Sequence, residues 1–397
     1  MDTRVSTSTE PSRNTQAWLM LGASTLAQVA ASIAANGASF LIPALHRDGR
    51  SLAHAGLVAS APLVGIMVTL VAWGYVIDKI GERTVLIVGL VGGAIFSGLA
   101  IIPSNLVVLA ILLGLAGAAT ACTNAAGGRV VVGWFPPERR GLAMGIRQMA
   151  QPVGVGLAAL TMPTLSLPHG VGTAMWVPTI MLVVSLIVVV IVVVDPARPT
   201  RTAESAPNPY RGSNYVTRIH LVSLLLVIPQ FLVWTYALLW LLQERHWSTG
   251  AAGALILVAQ ILGAFGRVAS GQLSDSVGSR MKPLLWISAA AAVTMAAFGV
   301  TAWLGWWLAV VVMVIATVVT VADNGLAFTA IAERAGPFWS GRALGVQNTG
   351  QYLMTIFVPP VAGLAIEHAS FAWTFGLSAL FPLIALPLVP HRDEERR

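Results

Sequence analysis

Charge is scarce in this sequence. Asp, Glu, Lys and Arg supply 10% of its 397 residues while hydrophobic types supply 56%, whereas about a quarter of a soluble domain is charged. A water-soluble globular fold is thereby excluded. Cysteine is rarer still: Cys122 is the only one, which excludes an intrachain disulfide and a cysteine-built metal cage and leaves that side chain a small packing role. No G-x4-G-K-[ST] loop occurs, so the chain has no such site for ATP to power its work. His46, His54, His169, His220, His246, His368 and His391 fall in connections or at helix ends. They form no metal spacing and no triad with a nucleophile, so enzyme chemistry finds no support, and no cofactor is expected.

What the chain has is apolar runs, and they recur from end to end. A run of about twenty residues crosses the roughly 30 Å hydrocarbon core as a helix. Twelve are readable, at 17–45, 54–77, 85–103, 106–134, 141–164, 173–194, 218–243, 250–273, 283–304, 306–333, 342–366 and 369–390. The connections are short except one, residues 195–217, which is polar and rich in Pro and Ser as a solvated linker should be. The expected fold is an all-α integral membrane protein: a tail 1–16, a six-helix bundle 17–194, the linker 195–217, a second six-helix bundle 218–390, and a tail 391–397.

The two bundles resemble each other in sequence. Gly74, Asp78, Gly81 and Arg83 recur at a shift of 197 as Gly271, Asp275, Gly278 and Arg280. At a shift of 200, Gly141, Ala143, Gly145 and Gln151 meet Gly341, Ala343, Gly345 and Gln351, and Asn124 meets Asn324. Such a repeat implies a duplicated bundle whose halves are parallel and pseudo-symmetric.

Lys and Arg concentrate in the tails and the even-numbered connections, leaving only Arg47, Arg50 and Arg245 in the odd ones. The positive-inside rule then places both termini in the cytoplasm. The net charge of +7 follows from this bias and suits anionic headgroups, so it is not read as a nucleic-acid surface. The first apolar run is too long for a signal-peptide core and stays as the first helix, which makes the chain a multi-pass protein of the cytoplasmic membrane.

Twelve helices in two parallel halves, with G-x3-D-x2-G-x-R between helices two and three and again between helices eight and nine, resemble the major facilitator superfamily of secondary transporters. The resemblance covers essentially the whole chain. It implies that this loop acts as a latch on the cytoplasmic side, its glycines permitting close helix approach and its carboxylate pairing with nearby cations or a helix N-terminus. Asp78 and Asp275 would stand beside Arg83 and Arg280, where an ion pair forms or breaks as the halves rock.

Ionisable residues inside a hydrocarbon span are costly and usually functional. Four qualify: Arg129, Arg147, Arg267 and Asp323. Arg129 lies near the cytoplasmic mouth, where snorkelling or a pair with Asp78 explains it. Arg147 and Arg267 lie deeper, and Arg267 is one turn before Gly271, a position similar to the substrate-binding arginine of the monocarboxylate and oxalate:formate branches. A guanidinium there holds a carboxylate by a bidentate pair. The resemblance is partial, because Gly263 stands where monocarboxylate transporters carry an acid. Asp323 is about 15 Å from its helix end, near the midplane. It is either a proton site or the partner of Arg147 or Arg267 in a static pair.

Gln28, Ser32 and Asn36 share one helix face, with Gln230 and Tyr236 as helix-seven counterparts and Asn124 and Asn324 as matching polar points. Helices one, four, seven and ten surround the central cavity in the family, which places these residues on its lining; packing by interhelical hydrogen bonds is the competing role. Two functions remain open. One is transport of a small organic anion bound by Arg267 and Arg147, with Asp323 coupling to protons. The other is proton-coupled efflux of hydrophobic or cationic compounds, with Asp323 as the cation's partner. The expected partners are the small-molecule solute, a proton and membrane lipid, with the chain acting as a monomer.

Overall fold

The computed structural model describes residues 13–102, 105–135, 137–195, 208–211 and 213–391. Among these residues the regular structure is helical, and eleven helices are long and apolar enough to cross a membrane: Asn14–Arg47, Leu52–Ile77, Glu82–Leu99, Leu106–Asn124, Val171–Val192, Tyr215–Gln243, Thr249–Val277, Met281–Trp303, Leu308–Gly336, Trp339–His368 and Phe371–Leu388. Ala150–His169 is the remaining span of the twelve, its hydropathy diluted by Gln151 and three prolines. They are numbered spans 1 to 12 in chain order, Ala150–His169 being in span 5. The first helix begins at Arg13, inside the expected tail 1–16, and most of the linker and of the tail 391–397 lies outside the described residues.

Span 6 ends beside the start of span 1, where Val194 N–H meets Met20 Sδ at 3.2 Å. Span 12 ends beside the start of span 7, where Arg218 Nε donates to Leu388 O at 2.9 Å. The starts of spans 1 and 7 and the ends of spans 6 and 12 therefore share one face of the bundle, the termini face.

Among the spans expected to be continuous, three that bear on the site are broken. Span 4 divides into Leu106–Thr120 and Cys122–Trp134, and span 10 stops at Val319 and restarts at Asp323. A threonine stands at each break and turns its hydroxyl back: Thr120 Oγ1 donates to Ala116 O at 2.9 Å and Thr320 Oγ1 to Ala316 O at 2.7 Å. A hydroxyl that bonds the carbonyl four residues back competes with the backbone and bends the helix. Span 5 divides at Met149, between Pro137–Gln148 and Ala150–His169. Pro152 lies within the first turn of the second piece, where a missing N–H is tolerated.

The halves meet along two seams, span 2 on span 11 and span 5 on span 8. Away from the termini face the seams are tight. A Cβ on Gly56 would come 2.5 Å from Pro359 O, and one on Gly253 2.6 Å from Ala159 O, so only glycine lets these backbones touch. Towards the termini face, Gly74, Gly145, Gly271 and Gly345 on the same four spans have no such neighbour within 4 Å. The structure is thus closed at one face and parted at the other.

Candidate functional site

In the first half, polar side chains converge on the break in span 4. Gln28 Nε2 donates to Asn124 Oδ1 at 3.2 Å, and Arg147 reaches the same place from span 5. Its terminal nitrogen lies 3.0 Å from Thr123 O, 3.2 Å from Asn124 O and 3.4 Å from Gln28 Oε1. Arg147 is only 8% exposed, and its Nε has no partner. One helical turn further along span 1, Ser32 Oγ donates to Gln151 O at 2.8 Å and Asn36 Nδ2 meets Ser32 Oγ at 3.2 Å. A small cavity of about 10 Å³ is lined by Gln28, Ser32, Asn36, Asn124, Gln151 and Tyr352 among others. That is room for about one water.

The second half repeats the amide pair and changes the charge. Asn324 Nδ2 donates to Gln230 Oε1 at 2.9 Å, and Gln351 Nε2 donates to Asn324 Oδ1 at 3.1 Å. Where the first half has Thr123, the second has Asp323, buried at 2% exposure in the first turn of the restarted helix. The break serves the acid, because a carboxylate at a helix N-terminus faces the positive end of the helix dipole. Arg267 is within Coulombic range of Asp323. Yet Asp323 makes no ion pair within 4.0 Å among the described residues. Arg267 instead donates across the halves to Gln148 O at 3.3 Å, and its Nε has no partner. Ser270, one turn on, ties span 8 to the break through a 2.8 Å bond to Ala322 O.

The profile of the Major Facilitator Superfamily matches residues 24–359, most of the chain. The chain belongs to that superfamily. Uncharacterized MFS-type transporters from two strains of Mycobacterium tuberculosis, H37Rv and CDC 1551, are each 45% identical to it over 363 residues, which is 90% of this chain and 81% of theirs. Solved structures of similar fold include a D-xylose-proton symporter, with TM-score 0.74 and 15% identity over 95% of this chain and 99% of the symporter. A bacterial homolog of the human lysosomal transporter Spinster, in an inward-facing and occupied conformation, gives TM-score 0.75 and 15% identity over 98% of each chain. Membership makes the chain a multi-pass membrane transporter of a small-molecule solute.

The superfamily's loop motif behaves differently in the two halves. Arg280 pairs with Asp275 at 2.5 Å and Glu333 at 3.0 Å, and donates to Ser274 Oγ at 2.9 Å. Burial opposes its charge, but the bonds from Glu333 and then Asp275 outweigh that and raise its pKa. Spans 8, 9 and 10 are thereby tied within one half. Arg83 turns elsewhere: its N–H donates to Asp195 Oδ1 at 2.7 Å and its guanidinium to Val190 O at 2.8 Å. The side chains of Asp78 and Arg129 lie outside the described residues. Gly74 and Gly271 have open space around them here, so close approach is not what they provide in this conformation. Gly81 and Gly278 adopt φ of 94° and 66°, a backbone that glycine alone enters freely.

Of the predicted lining, Gln28, Asn36, Asn124 and Arg147 come together in the first half, and Gln230, Asn324, Asp323 and Arg267 gather around the break in the second. Two expectations need correction. Arg147 pairs with amides and carbonyls rather than with Asp323. Tyr236 is fully buried, its hydroxyl donating to Pro359 O at 2.5 Å, so it packs span 7 on span 11 and lines no cavity. Gln151, Gln351 and Tyr352 were missed as site residues. The repeat pairs the two glutamines and so held a signal for them; Tyr352 answers to Pro152 at the shift of 200 and had none.

Proposed function

We propose that this superfamily member carries a small organic anion, a carboxylate, across the cytoplasmic membrane by alternating access, with a proton as coupling ion. The chain works as a monomer with its termini and linker in the cytoplasm, as the distribution of Lys and Arg favours. One observation carries the substrate class. Near the breaks the described spans bury two arginines against one acid: Arg147 at the break in the first half, and Arg267 within Coulombic range of Asp323 at the break in the second. Each arginine has a buried Nε with no partner, and the surplus positive charge lies where an uncompensated ion costs several kcal/mol. A carboxylate solute cancels that charge and satisfies those donors. Asp323 exchanges a proton as the solute takes up the charge of the nearby Arg267.

A second reading draws on Asp323 lacking a close ion pair: an available acid suits efflux of hydrophobic or cationic compounds in exchange for protons. Thermal-shift measurements on the purified protein separate the two, using a panel of mono- and dicarboxylates beside a panel of lipophilic cations. Binding to the folded state raises apparent stability by mass action. A carboxylate shift that disappears in Arg267→Ala is the expected result. Shifts with lipophilic cations alone, unchanged in that variant, would replace the anion reading by the efflux reading.

A further inference from the structure

Arg267 binds a carbonyl that is available for a chemical reason. In a continuous helix Gln148 O would accept the N–H of the residue four positions on, which is Pro152, and proline has none. The orphan carbonyl points across the seam between spans 5 and 8, and Arg267 from the other half donates to it at 3.3 Å. The opposite seam repeats the device with a different donor. Pro360 deprives Ile356 O of its helical partner, and Ser60 Oγ of span 2 lies 2.7 Å from Ile356 O and 3.0 Å from its own Gly56 O. Both seams therefore carry a cross-half donor on a proline-freed carbonyl.

The two latches differ in position and in charge. Ser60 is on the tight side of the bundle, eight residues from the start of span 2, and is neutral. Arg267 is on the parted side, ten residues from the end of span 8 at Val277. Beyond it towards the termini face, a Cβ on Gly145 or Gly271 would meet nothing within 4 Å. A neutral carbonyl is a weaker acceptor for a guanidinium than a carboxylate, which adds opposite charge and a bidentate geometry. Asp323 lies on the same side as a competing charge.

We propose that Pro152 is a positioning residue for transport: it presents the Gln148 carbonyl to Arg267, which latches the halves near the termini face until a stronger acceptor takes the guanidinium. With the site empty, the carbonyl stands where a solute carboxylate will bind. Arrival of the carboxylate frees span 5 from span 8, and the seam opens or repacks. That exchange rests on the organic-anion reading, whereas the latch itself does not.

The test uses spin labels on Arg139→Cys and Ser276→Cys, exposed positions at the termini-face ends of spans 5 and 8, in a Cys122→Ser background. Pulsed electron paramagnetic resonance then gives the distance distribution across the seam in the full chain with no solute added. Pro152→Ala restores the missing N–H and captures Gln148 O within the helix, so the wide population is expected to rise about tenfold over the narrow one, as loss of a charged hydrogen bond implies. Arg267→Gln is expected to shift the distribution the same way. Combined, the two changes should add little to either alone, because both break one contact. Ser60→Ala, at the other seam, should shift it oppositely.

A Pro152→Ala distribution matching the parent, or fully additive effects in the double variant, overturns the latch. Size-exclusion profiles establish that each variant is folded, and Arg267→Gln keeps the test decisive if Pro152→Ala is not. Carboxylate thermal shifts on the same samples separate the two ideas. Latch behaviour without carboxylate binding leaves the latch and removes the anion reading; binding lost in Arg267→Ala with an inert Pro152→Ala does the reverse.

Discussion

Replacing Arg147 by methionine distinguishes a functional charge from a structural one. Arg147 is 8% exposed, and a single nitrogen carries its three contacts, at 3.0, 3.2 and 3.4 Å. That nitrogen has two protons, so it makes two full hydrogen bonds, worth about 1.5–3 kcal/mol each because the donor is charged. Against them stands the desolvation of a buried ion, several kcal/mol even after relaxation. The two nearly cancel. Truncation also leaves few orphans: Thr123 O and Asn124 O keep their helical N–H partners, and Gln28 Oε1 borders a cavity of about 10 Å³ that suits one water. Arg147→Met is therefore expected to unfold within about 2 kcal/mol of the parent, while its carboxylate-induced thermal shift and its transport fall at least tenfold. The assay pairs thermal unfolding in detergent with solute uptake into proteoliposomes. Loss of more than about 3 kcal/mol of stability, the mark of breaking a buried structural pair, with uptake intact would refute the reasoning.

Other perturbations follow from the same geometry. Asp323→Asn keeps the size of the side chain and its place at the restarted helix, so exchange of labelled for unlabelled solute should persist while uptake stops responding to an imposed pH gradient; uptake that still follows the gradient would remove Asp323 as the proton site. Gly278→Ala places a Cβ on a residue with φ of 66° and open space around it and should lower stability by about 1 kcal/mol; Gly81→Ala, at φ of 94°, also presses its Cβ onto the Asp195 carboxylate and should lower it by more, whereas Gly74→Ala, with open space around it, should not. Equal effects at all three would show that backbone conformation is not what the motif glycines contribute. Gly56→Val meets Pro359 O, which a bare Cβ would approach to 2.5 Å, and should open the face away from the termini; labels on His54→Cys and His368→Cys would report the longer distance.

The fold was legible because the bilayer leaves little choice: an apolar run of sufficient length must be a helix, and the shifts of 197 and 200 betray the duplication. The breaks in spans 4, 5 and 10 were not. Threonine bonds the carbonyl four residues earlier in continuous helices as well, as Thr294 and Thr329 do, so Thr120 and Thr320 carried no mark of the breaks. Depth was readable by counting, which found Asp323 and the two arginines. Partners were harder, because they depend on how one half registers against the other, and no spacing within a half encodes that. Tyr236 shows the limit: its position on span 7 fitted the cavity, but a rotation of the helix turns its hydroxyl to Pro359 and into the seam.

Between helices in lipid there is no hydrophobic drive, so close backbone contact and a few polar bonds decide which seam holds. On the face away from the termini the contact is backbone on backbone at Gly56 and Gly253, a large dispersion surface with Ser60 as its polar clasp. On the termini side the Arg267 to Gln148 bond spans a seam whose glycines meet nothing beyond it. A bundle held this way is stiff towards the face away from the termini, where any side chain in place of these glycines would spoil the contact, and compliant towards the termini face, where charge controls it. Bistability then needs only a few kcal/mol of difference, which is the scale of a charged hydrogen bond. The solute need not push the halves apart. It has only to offer Arg267 a better acceptor than the one Pro152 leaves exposed.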